Sequence, residues 1–273
     1  MGSGVNGPAP AARAPAMAST GRLAIASLTL RALQRRLAVL AAFAAVFLLA
    51  ATTARLLSGT HDGHVELDRI FEIGGAPLAS GLLLIGWVIG RFPLIAVLVL
   101  MAGLFSRDRT HGWARLYYAR PIAPLAFYAR RAGLLAAIAF LISAAVMPGF
   151  DVIMLGTWAG AATLVLIAAY VLAYGSLVAL LSVWTRHDAW AALLLALVAI
   201  VWHALRTGGV LVGAPPGVAE IVSIALPPHG ALLALESAFA QLQPIPWDAF
   251  LYVTLYATLM LVLGGISLAW REV

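Results

Sequence analysis

The ionisable side chains of this 273-residue chain are few enough to be weighed one at a time. Arg91 stands in "GWVIGRFPL", within a long apolar run. A charge at membrane mid-depth costs at least about 2.5–3.5 kcal/mol, so such a residue faces a bundle interior, a dimer interface or a water-filled path. The alternative is a span that breaks at Pro93, with the guanidinium reaching toward lipid headgroups. His203 lies in another apolar run with Arg206 one turn later, which suits a packed or interface histidine better than a catalytic one. His61 and His64 flank Asp62 in "HDGH" and offer metal-ligand chemistry, but no further ligand follows at characteristic spacing. Ser176 in "AYGSLV" lacks the G-x-S-x-G frame of a nucleophile elbow. There is no cysteine, which removes thiolate catalysis, disulfides and cysteine metal sites. All seventeen basic residues are arginine, so the lysine of a phosphate-binding loop is missing as well. These residues give no enzyme a catalytic cluster, and no cofactor or metal is expected on this chain.

Charge is densest at Arg115–Arg131, "RLYYARPIAPLAFYARR", with four arginines and three tyrosines between two apolar runs. Asp108 or Thr110 can cap a short helix that starts near Gly112, with Trp113, Leu116, Tyr117 and Tyr118 as an interfacial aromatic flank. Pro121 and Pro124 stop it, and a second apolar run starts at Leu125. Two readings fit: a protrusion that docks a soluble partner, or an anchor that fixes membrane orientation.

The elements that carry these residues follow from hydropathy. The chain is 63% hydrophobic and 10% charged, against roughly 25% charged in a soluble domain. Six spans near the ~20 residues needed to cross a bilayer are expected. They are residues 37–57, 78–105, 132–147, 152–184, 190–205 and 249–270, the fourth too long to stand upright. Residues 1–19 read as a disordered tail and 20–273 as one transmembrane domain. In residues 20–36, Leu23, Ala26, Leu30, Leu33 and Leu37 form one stripe, as in an amphipathic helix on the membrane surface; an extension of the first span is the other reading. Between residues 207 and 247, "APPG", "LPPHG" and "QPIP" interrupt a strongly apolar stretch. Leu232, Leu235, Phe239 and Leu242 keep helical spacing there, so short helices dipping into the outer leaflet are expected. Arginines gather at the N-terminal side, in the loop after span two and at the C-terminus. The other loops carry Asp62, Glu66, Asp68, Glu72, Asp151, Glu220, Glu236 and Asp248 with few arginines. The positive-inside rule then puts both termini and the Arg115–Arg131 loop in the cytoplasm of a cell-membrane protein. No nucleic acid is expected as a partner, because the arginines sit beside apolar spans.

With those elements in place, "GLFSRDRTHGWARLYYARPIAP" resembles the segment after the second span of ABC-2-type ABC transporter permeases. That family typically has an acidic residue, a glycine, a small amphipathic helix and an "RPVSR"-like turn. Asp108, Gly112 and Ala119–Pro124 match this order, while Pro124 departs from the serine–arginine ending. "GSLVALLSVWTRHDAWAALLLALVAIVW" and the terminal "AWREV" are similar to later family segments. The resemblance implies an all-α fold of six transmembrane helices with an N-terminal interfacial helix, a cytoplasmic coupling helix and an apolar outer hairpin before the last helix. It implies a non-catalytic permease, paired with itself or a similar chain, on which two ATPase subunits carry ATP and magnesium. Asp108, Gly112, Arg115, Arg120 and Pro121 would couple to the ATPase, and Arg91 and His203 would lie on the path or interface. The rival from another class is a non-transporting membrane scaffold that assembles a larger complex.

Overall fold

The computed structural model describes residues 16–58, 60–61, 64–65, 91–110, 124–209 and 216–271. The chain divides into two compact units, Met1–Val39 and Leu40–Val273. Helix α1 (Ala16–Ser58) is continuous over 43 residues. It contains both the stretch expected as a separate interfacial helix, 20–36, and the first expected span. It also begins at Ala16, inside the stretch expected to be a tail; residues 1–15 lie outside the description.

In the larger unit, strands β1 (Thr60–His61) and β2 (His64–Val65) form a two-residue antiparallel ribbon that pairs His61 with His64. The other described elements are helical: α2 (Phe92–Met101), α3 (Ser106–Thr110), α4 (Pro124–Leu155), α5 (Ala161–Trp184), α6 (Asp188–Thr207), α7 (Pro216–Ala225), α8 (His229–Ala240) and α9 (Trp247–Arg271). Five described helical stretches are long and apolar enough to cross a membrane, in α1, α4, α5, α6 and α9; counting the bent pair α7–α8 as one span makes six. The fold is that of an all-helical, multi-pass membrane protein.

Helix α5 is the axis of the bundle. It packs against α2, α4, α6, α8 and α9, and 61% of its span is buried against 18–28% for the other four. Its buried face explains the sequence: Ala169, Ala173, Gly175 and Ser176 are small enough to let neighbours approach, while Tyr170, Tyr174 and Leu177 fill the space between them. The outward faces of α6 and α9 keep Leu193, Leu194, Leu197, Leu255 and Leu259 exposed, as helices solvated by lipid must.

The boundaries differ from the hydropathy reading at two places. The expected fourth span, 152–184, is broken: Val152–Leu155 finish α4, and α5 starts at Ala161. Gly156 and Gly160 between them take φ +74° and +65°, a left-handed turn that glycine adopts without penalty. The third span grows correspondingly, with α4 covering 32 residues and Pro148 inside it. Its C-terminal carbonyls at Val152 and Ile153 accept hydrogen bonds from Arg55 of α1 at 2.5 and 2.9 Å. Arg55 thus caps a helix end.

Of the second expected span, residues 91–105 are described. Helix α2 starts directly after Arg91, with Pro93 in its first turn, a position where the missing amide costs nothing. In the apolar stretch before the last span, the expected helix is present as α8, bent by 67° from α7. Leu232, Leu235 and Phe239 are buried as their spacing predicts, whereas Leu242 lies just beyond the helix and is exposed.

Candidate functional site

Among the described residues, a group of largely buried polar side chains sits where α2 begins. Arg91 donates to the Glu236 carboxylate of α8 at 2.8 Å, and the two side chains are only 10% and 18% exposed. The Tyr170 hydroxyl of α5 hydrogen-bonds the other carboxylate oxygen of Glu236, and the ring of Tyr174 stacks one turn along at 6.0 Å. Three helices therefore meet on one carboxylate. By helical rise, Tyr170 is about 14 Å from the start of α5 and about 21 Å from its end, so the ion pair is held near mid-depth of the span. Each partner is what makes the other tolerable there, since a lone buried charge would carry a desolvation cost of several kcal/mol.

A second polar group lies farther along α8. His229 and Glu236 are seven residues apart and so share one face of that helix, about 10 Å apart along its axis. The His229 ring meets His203 of α6 edge to face at 5.5 Å. Gly230 permits this approach, because a β-carbon there would come within 3.1 Å of the His203 ring. Polar groups thus descend along one face of α8, from the helix start to the Arg91 pair.

At the opposite end of the bundle, two aspartates tie the helices together. Asp188 is buried at the start of α6. It accepts the Gly103 amide at 2.9 Å, the Ser106 hydroxyl at 3.3 Å and its neighbour's amide, Ala189, at 2.8 Å. The turn from α2 into α3, with Gly103 at φ +75°, is thereby fastened to the end of the α5–α6 connection. Asp108 of α3 pairs with Arg131 of α4 at 2.5 Å and lies 3.4 Å from the Tyr128 hydroxyl. Tyr128 in turn meets Phe105 edge-on at 4.8 Å, inside a cluster with Val183 and Leu268. Arg109 donates to the Val183 carbonyl at 2.9 Å. The described residues on either side of 111–123 are therefore anchored on α4, α5 and α6.

Of the residues singled out in the sequence, Arg91 is buried and paired with Glu236. His203 is packed against another histidine. Asp108 is buried and tied to Arg131 of α4, and the helix near Gly112 that it was expected to cap lies outside the described residues. Gly112, Arg115, Arg120 and Pro121 fall outside the described residues. Glu236, Tyr170 and Asp188 were missed. Glu236 was counted among loop charges, and its one signal was its place in the helically spaced "ALLALESAFAQL". Asp188 follows "TRH" at a helix start and carried a capping signal that gave no hint of its bonds to Gly103 and Ser106. Among the described residues no group of three or more His, Cys, Asp or Glu side chains is placed to hold a metal. No family model, curated protein or solved structure matches this chain.

Proposed function

We propose that this chain is the transmembrane permease subunit of an ATP-driven exporter of the ABC-2 type, which lines the translocation path and borrows its energy from a separate ATPase. The observation that carries the reading is the Arg91–Glu236 pair at mid-depth, joined by Tyr170. Ionisable residues are retained inside a membrane where they serve a path or a moving part, and this pair joins α2 and α8 across the central helix. The pair is electrically balanced, so it can separate only if another group takes over one partner. That makes it suited to a step driven from outside the membrane.

The energy source comes from the resemblance of residues 103–124 to the coupling segment of that family. In this reading the Asp108 end of the bundle and both termini are cytoplasmic, in the cell membrane. Gly112, Arg115, Arg120 and Pro121 would present the docking surface, and Asp108 and Asp188 would transmit its displacement to α4, α5 and α6. Two copies, or one with a similar permease, would sit on two ATPase subunits that hold ATP and magnesium.

The test is affinity purification of the tagged chain from its own host in mild detergent. An ABC-type ATPase should co-purify in near-equal amount, and R115E/R120E should abolish its retention while leaving the permease folded. Retention of the ATPase by that variant would remove the docking assignment. Purification with a stable set of non-ATPase membrane proteins would favour the scaffold reading.

A further inference from the structure

Beside the His203–His229 pair, α6, α7, α8 and α9 leave a cleft of about 500 Å³. We propose that it binds a phosphate oxyanion. This assignment is independent of the transport reading.

The walls supply donors and a positive charge. Arg206 lines the cleft from the last turn of α6 and donates to the Ser223 hydroxyl of α7 at 2.9 Å. Trp202 donates its indole N–H to the same hydroxyl at 3.2 Å. That hydroxyl donates its own hydrogen bond to the Ala219 carbonyl at 2.8 Å, so it positions the arginine and the indole. His203 and His229 each carry at least one ring N–H in any tautomer, and Tyr252 lines the cleft from α9. Helix α8 begins here, after Pro228, with no side chain capping it. Gly230 and Ala231 line the cleft, and amides in a first helical turn have no acceptor within the helix.

No carboxylate is among the described residues that line it. The nearest acid on α8 is Glu236, about 10 Å along the axis from His229 and already paired with Arg91. A metal cation would meet the Arg206 guanidinium with no compensating acid. An oxyanion meets a cation, imidazole N–H groups and a helix start together, the combination that recognises phosphate. The cleft lies at the C-terminal end of α6 and the N-terminal end of α8, level with the end of a span. Free phosphate and a phospholipid head group share the chemistry the walls read.

The two sources separate in one experiment. The full chain, in phosphatidylcholine nanodiscs, is titrated with inorganic phosphate by calorimetry. In parallel, the chain in detergent is offered dioleoyl phosphatidic acid against dioleoyl phosphatidylcholine, and bound lipid is counted by native mass spectrometry. Binding in the first arm assigns the free anion, and preference for phosphatidic acid alone assigns the lipid head; either supports the site. R206Q and H203Q/H229Q should weaken whichever binding occurs by about ten-fold or more, as expected for loss of charged or paired donors. R206K should retain part of it, and R130Q, an exposed arginine at the far end of the bundle, should leave it within about two-fold. Far-ultraviolet circular dichroism verifies that each variant is folded. No binding in either arm overturns the proposal, as does binding that R206Q leaves unchanged or that R130Q weakens equally.

Discussion

Arg91 and Glu236 illustrate how much a single residue depends on one partner. Truncating Arg91 to Met leaves a carboxylate at mid-depth with the Tyr170 hydroxyl still donating to it, a loss of about 3–5 kcal/mol for a broken buried pair. The expected outcome is a melting temperature in detergent well below wild type for R91M. R91M/E236L should recover most of the difference, because an apolar pair of similar volume needs no solvation. If the double variant melts as low as the single, the pair is not a mutual compensation. Asp188 carries a different kind of dependence. D188A removes the acceptor of the Gly103 amide, the Ser106 hydroxyl and the Ala189 amide, and should cost about 1–3 kcal/mol. D188N keeps one carbonyl oxygen as acceptor and should fall between the two in the same melting assay.

At the level of elements, the packing of α9 on α5 depends on residue size. A β-carbon added at Gly264 would sit 3.4 Å from Leu180 Cα, within ordinary contact. G264A should therefore melt within about 1 kcal/mol of wild type, whereas G264L has to push α9 away and should lose 1–3 kcal/mol, as overpacking does. Equal melting of the two would mean that α9 is free to shift. Helix α8 is held by Leu232, Leu235 and Phe239 on its buried side, so the bend at Pro227–Pro228 sets which way Glu236 points. The proline pair ends α7, and the chain restarts at a new angle with its polar face turned toward α2 and α6.

For the whole molecule, orientation is the property on which the proposed function turns. The absence of cysteine makes it directly measurable, since any introduced thiol is the only one. With both termini and the Arg115–Arg131 loop in the cytoplasm, R115C in intact cells should resist a membrane-impermeant maleimide, while D248C at the start of α9 should react. Permeabilised cells should label both. The reverse pattern would invert the bundle and remove the ATPase from its assigned side.

Hydropathy alone determined that this is a helical multi-pass protein, because lipid forces each span to satisfy its own backbone and to show apolar side chains outward. It located most of the spans, and the absence of lysine and cysteine narrowed the chemistry before any fold was known. The helix at 229–240 was legible from local spacing. What stayed hidden was pairing. Arg91 and Glu236 are 145 positions apart, and Gly103 and Asp188 are 85 apart. Nothing in a window of local sequence tells a buried partner from a loop charge. The break at Gly156–Gly160 was also invisible to hydropathy, which sees an unbroken apolar run where the backbone turns left-handed. The sequence specified which surfaces face lipid; only tertiary packing around α5 decided which polar groups meet, because that depends on where each helix starts and how close its small residues let the next one come.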